Sequence, residues 1–286
     1  METTRDYSTI SPTAKSLLLL KGSTNIPFVK EAAQLMLAPQ PYEPDLSTKD
    51  LSFWGRLLHF EDRYWSIDQL LADLPIKNIL ELSSGFSFRG LKTVAQPGYH
   101  YIDTDLPEVV AIKKDFVAAF PGKQIVSVLE LLPLNALDEA AFRETVDRFP
   151  SGEIVIVNEG LLMYLDEQEK QQLCHLIHRV LMERGGYWIT ADIYVKWDEG
   201  KAGLERGAEW EAFYAQHRIH ENKFDSFDAA KLFFTKMGFQ IDKEAVREHE
   251  KLTALPRLME NATEVQLKRM RQAGRTRITW RLKVAD

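Results

Sequence analysis

A single cysteine, Cys174, stands in the 286 residues, so no disulfide framework can form within the chain and no cysteine-rich zinc site can be built. Long apolar runs are also missing. The leucines at 17–20 form only a short run without a signal peptide's cleavage pattern, which makes the cytoplasm the expected compartment and excludes a membrane span. Basic residues are not in excess: 36 Lys and Arg face 42 Asp and Glu, a net charge of −6, and a nucleic-acid or anionic-membrane partner would reward the opposite balance. Internal repeats and low-complexity linkers are absent too. What remains is ordinary for a globular chain, with 45% hydrophobic and 27% charged residues, enough to bury a sizeable core.

The stretch over 77–105, KNILELSSGFSFRGLKTVAQPGYHYIDTD, organises the rest. Ile79, Leu80 and Leu82 make a buried strand, Ser83-Ser84-Gly85 breaks it, a short helix starts at Arg89, and a second strand ends in Asp103 and Asp105. Gly85 and Asp105 stand twenty residues apart, the spacing of a nucleotide site in a doubly wound sheet. There the glycine admits the ligand to the backbone and the carboxylate accepts from both ribose hydroxyls. The turn lacks a full GxGxxG, which argues against a dinucleotide and favours a nucleoside without phosphates; S-adenosyl-L-methionine (SAM) is the leading candidate.

Along the chain, residues 1–70 read as mostly helical, an extension that covers a sheet face and closes over the ligand as a lid. Strands follow at 79–82, 99–102, 124–128, 153–157, 187–195, 239–246 and 277–284, the last as an edge strand, with helices between them. This alternation predicts an α/β fold, a doubly wound, mostly parallel seven-stranded sheet. The domain organisation follows: an extension over 1–70, then a ligand-binding domain over 71–286 with a helical substrate-side insertion at 196–225. Residues 252–274 are charged and read as partly looped.

Ligands of such sheets bind beyond the carboxyl ends of the strands. That rule selects Glu81, Ser83 and Gly85 after the first strand, Asp105 after the second, Asn135 and Ala136 after the third, and Glu159 and Gly160 after the fourth. A carboxylate closing a buried strand needs a partner, and Glu159 either caps the next helix or meets a cationic ligand. Tyr164 and Tyr194 are the candidates for polar contacts to a substrate, with Tyr164 the catalytic candidate. Trp197, Trp210, Phe213 and Tyr214 in the insertion suit either helix packing or an aromatic acceptor pocket. His175 with His178, and His217 with His220, stand three apart but have no third ligand, so no metal is expected.

The segments ILELSSGFSFRGL, YIDTDLPEVVAIKK and NEGLLMYL, in that order and spacing, resemble the leucine carboxyl methyltransferase family. Its members include the protein phosphatase methyltransferases and bacterial polyketide O-methyltransferases. The resemblance extends to SPTAKSLLLLKGS and RYWSIDQLL and covers most of residues 10–195. It implies a class I, Rossmann-like, SAM-dependent methyltransferase that releases S-adenosyl-L-homocysteine (SAH). Gly85, Asp105 and Glu159 would contact the cofactor, and Lys21 and Arg63 would face its methionine carboxylate. Where the family has Asp-Thr before its first arginine, this chain has Ser87-Phe88, which removes a polar anchor. The expected reaction is O-methylation of a carboxylate or hydroxyl on a small molecule. The rivals are a SAM-binding enzyme of non-methylating chemistry and a binding protein on a degenerate methyltransferase fold.

Overall fold

The computed structural model describes residues 11–196 and 208–285. Its strands are β1 (Asn78–Leu82), β2 (His100–Asp105), β3 (Val128–Pro133), β4 (Ile154–Asn158), β5 (Gly186–Tyr194), β6 (Phe239–Glu244) and β7 (Arg277–Val284). They form one sheet in the order β3-β2-β1-β4-β5-β7-β6, parallel from β3 to β5 and antiparallel on both sides of β7. β1 (NILEL) and β4 (IVIVN) pair at the centre, and every residue of both is buried, as apolar strands covered on both faces require. Strand order reverses between them, which opens a crevice at their carboxyl ends.

The helices are α1 (Ser11–Lys21), α2 (Val29–Leu37), α3 (Leu51–Ala72), α4 (Arg89–Thr93), α5 (Pro107–Ala119), α6 (Glu139–Val146), α7 (Glu167–Arg184), α8 (Ala208–Gln216), α9 (Phe227–Lys236), α10 (Ala254–Asn261) and α11 (Glu264–Ala273). Alternation in the strands decides which helix meets which residue. Ile79, Val155, Val157 and Ile189 face Ile67 and Leu70 of α3. Leu80, Ile154, Ile156 and Trp188 face Leu173, Ile177 and Leu181 of α7. Each fully buried side chain of this kind stabilises the fold by about 1.5–3 kcal/mol. An Asp50 cap on the Phe53 amide (2.8 Å) starts α3, and a capping box between Asp166 and Glu169 starts α7. Among the described residues, no helix is long and apolar enough to cross a membrane.

Three expectations are corrected. The third strand is not at 124–128 but at Val128–Pro133; Ile125 and Val126 form an exposed approach, tied only by the Val126 amide to the Val94 carbonyl. Apolar β-branched residues drew the reading there, yet β3 is an outer strand and only partly buried. β7 is not an edge strand: it lies between β5 and β6. Its alternating sequence, RITWRLKV, suggests a wet polar face, but α3 covers that face. Arg277 pairs with Asp62 (2.7 Å), Arg281 with Asp73, and Thr279 bonds Ser66 (2.7 Å). Within 252–274, α10 and α11 replace the expected loop, with α10 packed on α3 through Leu258 and Trp54. Trp197 lies outside the described residues.

Lys170 of α7 is 5% exposed and donates to the Asn222 carbonyl at 2.5 Å, holding the end of the insertion. Burial brings its pKa down to about 8 from 10.5, so between those values the unfolded chain binds more protons than the folded one. Folding stability carried by this group therefore rises as pH climbs from about 8. In Lys170→Met that increment is expected to vanish when urea midpoints are compared with wild type across the range.

Candidate functional site

A cavity of about 350 Å³ opens at the carboxyl ends of β1, β2 and β4. Its floor is the turn after β1. Ser83 (φ 50°) and Gly85 (φ 53°) both take left-handed backbone, and a side chain built on Gly85 would meet nothing within 4 Å, so the turn faces open space. Asp105 reaches back to that turn: Oδ2 accepts the Gly85 amide at 2.6 Å and Oδ1 the Leu106 amide at 2.7 Å. Burial raises the Asp105 pKa, and these two amides oppose it. Phe86, Leu106, Val109, Leu134 and Ala136 supply apolar wall beside the carboxylate. Asn135 forms the third strand's turn, its side chain accepting from the Leu137 amide at 3.1 Å.

The opposite end is strongly charged. Glu159 Oε1 lies 3.6 Å from Lys21 Nζ and 3.1 Å from Arg63 Nε, and its Oε2 lies 3.0 Å from Arg89 Nη2. Burial alone would raise the Glu159 pKa, but Lys21, Arg63 and Arg89 outweigh it and hold the carboxyl well below the usual range. Burial lowers Lys21 against the pull of Glu159. Gly160 (φ 85°) keeps the wall thin here, since a Cβ would come within 3.2 Å of the Arg63 guanidinium.

Lys21, Arg63, Ser83, Gly85, Asp105, Asn135, Ala136, Glu159, Gly160 and Tyr164 all line this one cavity. Glu81 does not. It is fully buried beneath the floor, paired with Arg89 and accepting from Tyr101 Oη at 2.6 Å. A carboxylate in the middle of a buried strand needs a cation, and Arg89 supplies it while also bonding Asp68 at 2.7 Å. Ser87 and Phe88 are off the cavity as well. Ser87 Oγ accepts from the Arg89 amide (3.3 Å), and Phe88 packs edge-on against Phe120 (4.9 Å between ring centres). Ser87 therefore bears on the support of Arg89, and Phe88 on the packing against α5, rather than on the cavity wall.

Helices from outside the sheet complete the enclosure. α1 contributes Thr13, Ala14, Leu17 and Lys21, and the insertion contributes Phe213, Tyr214 and Ile219. Of Trp210, the structure describes only its place in α8. α3 offers one face, with Ser52, Gly55, Arg56, His59, Phe60 and Arg63 at helical spacing. His59 was not singled out from sequence, although the i, i+4 relation to Arg63 marks it. Tyr164 sits on the wall with its hydroxyl pushed up to about 12 by burial, so it serves as a protonated donor. His217 packs near Tyr164 and Phe213, and His178 stacks edge-on against Phe239 behind the sheet.

Asp192 was also missed. It is 2% exposed in β5 and accepts from the amides of Gly160 (2.7 Å), Leu161 (2.7 Å) and Leu162 (3.2 Å) and from Asn158 Nδ2 (2.7 Å). It thereby fixes the loop that carries Glu159. Asp192→Ala strands those amides and is expected to cost about 3 kcal/mol in urea unfolding.

No family model and no curated protein matches the sequence. Similar solved structures include magnesium protoporphyrin IX methyltransferase (ChlM) from Synechocystis PCC 6803 with bound SAH. It is 10% identical, with TM-score 0.48 over 91% of this chain and 96% of that one. The mitomycin 7-O-methyltransferase MmcR is 11% identical, with TM-score 0.47 over 96% of this chain and 67% of that one. A pericyclic reaction enzyme is 13% identical, with TM-score 0.44 over 90% of this chain and 53% of that one, so the chain spans about half its length. All three are distant likenesses.

Proposed function

We propose that this chain is a SAM-dependent O-methyltransferase acting on a carboxylate or hydroxyl of a small molecule. The observation that carries the reading is the pairing, within one cavity, of the Gly85–Asp105 turn with the Lys21–Arg63–Glu159 cluster. SAM has matching parts: a ribose diol for Asp105, an ammonium for Glu159, and a carboxylate for Lys21 and Arg63. The apolar wall from Phe86 to Ala136 suits its adenine. When bound, SAM supplies an electrophilic methyl group on sulfur. The chain orients the acceptor, excludes water beneath α1, α3 and the insertion, and keeps the charged cluster compensated until the ligand arrives. Within the extension, α1 and α3, which wall the cavity, act as the lid. The sequence resemblance to the leucine carboxyl methyltransferase family supports the same assignment of Lys21 and Arg63.

Isothermal calorimetry with SAM tests the reading. Micromolar binding is expected, followed by SAH release when an acceptor is supplied. A protein that takes up no SAM at millimolar concentration would return the chain to the binding proteins.

A further inference from the structure

Beyond the charged cluster, three side chains meet on the acceptor side of the cavity. Tyr194 Oη lies 2.8 Å from His59 Nε2 and 3.3 Å from Arg63 Nη1. A guanidinium can only donate, so the Tyr194 oxygen accepts from Arg63; in the Nδ1–H tautomer of His59, which the proposal below uses, the Tyr194 proton is directed at His59 Nε2. The same guanidinium donates through Nε to Glu159 at 3.1 Å, so this pair abuts the charged end of the cavity. Phe60, Met163, Tyr164, Phe213 and Tyr214 surround it with ring and thioether surface.

Resting on the methyltransferase reading above, we propose that Tyr194 and His59 take the proton from a hydroxyl acceptor, and that the acceptor is a phenol or enol. A carboxylic acid is already an anion at neutral pH and would leave this pair idle, whereas a hydroxyl needs a base. Neutral imidazole suits an acidic hydroxyl on a conjugated system far better than an aliphatic alcohol. The charged groups acting on His59 include Arg63 on its own helix, Arg277 of β7, Arg247 after β6 and Lys223 at the end of the insertion, with Asp62 of α3 paired to both Arg277 (2.7 Å) and Arg247 (3.1 Å). Burial first, and then these cations, hold His59 neutral, the form with a free lone pair on Nε2, and Arg63 beside Tyr194 favours the acceptor as an oxyanion. In the transfer, the acceptor O–H bond breaks and its O–CH3 bond forms. The proton passes to Tyr194 as the Tyr194 proton passes to His59, and the electron pair of the broken S–CH3 bond stays on sulfur in SAH. His59 returns its proton to water at the cavity mouth.

SAM calorimetry comes first, so that failure of the methyltransferase reading, seen as no SAM binding, is told apart from failure of this assignment, which is read from the probe. 4-Nitrophenol is then titrated into SAH-saturated wild type, His59→Gln and Tyr194→Phe, and ionisation is followed by nitrophenolate absorbance. On wild type the probe's apparent pKa is expected to fall below its solution value, and to rise by about one unit in either variant. The pH at which wild-type turnover falls should lie below the ordinary imidazole range, since the neutral ring is the competent form. Equal ionisation in wild type and both variants overturns the proposal. So does a wild type that binds SAH but leaves the probe unbound or fully protonated, or one that releases SAH with benzoate and not with the phenol.

Discussion

Asp105→Ala is expected to weaken SAM binding about a hundredfold, a loss of about 3 kcal/mol, when wild type and variant are compared by calorimetry. Two effects add. The carboxylate is the acidic group bonded to the Gly85 amide at the cavity floor, and the charge-assisted bonds it would make to a diol are lost with it. The amides of Gly85 and Leu106 also lose their acceptor, so the turn that must lie against the ligand is no longer held. Asp105→Asn separates the two, because its carbonyl oxygen still accepts one amide while the negative charge is gone. Unchanged SAM affinity in the alanine variant would remove Asp105 from the site.

Arg89→Met is expected to destabilise the fold by about 3–5 kcal/mol in urea unfolding. Arg89 is 1% exposed and serves Glu81, Asp68 and Glu159 together, with Tyr64's ring 4.4 Å from its guanidinium carbon. Removing it leaves Glu81 buried without a cation, and burial already pushes that carboxyl's pKa upward against the pull of Arg89. Adding Glu81→Leu should recover part of the loss, since an ion pair replaced by apolar volume is far less harmful than one that is halved. A double variant no better than Arg89→Met would mean that Asp68 and Glu159, not Glu81, depend on the arginine.

The parts of the site legible in the sequence are those attached to strand ends. Gly85, Asp105 and Glu159 each follow an apolar run, and the topology rule then places them together. His59, Arg89 and Asp192 were less visible because their roles depend on what packs against them. A histidine on a helix becomes a site residue only when Tyr194, far along the chain, arrives beside it. Glu81 misled because position along a strand does not say whether a side chain faces the crevice or the layer below. The order of the last strands was hidden for a similar reason: the arginines of β7 read as solvent-facing, and only Asp62 and Asp73 on α3 reveal a covered face.

The place of β7 also sets a schedule for biosynthesis. β5 emerges from the ribosome with Trp188 and Ile189 ready to be buried, but its neighbour on one side is β7, much later in the chain. Until residues 277–284 leave the exit tunnel, β5 presents an unpaired apolar edge of the kind that chaperones hold and that misassembling chains seize. β6 cannot shield it, because β6 joins the sheet only through β7. A nascent chain stalled before Arg277 should therefore be captured by ribosome-associated chaperones and cleaved readily by protease, while one released after Val284 should become resistant.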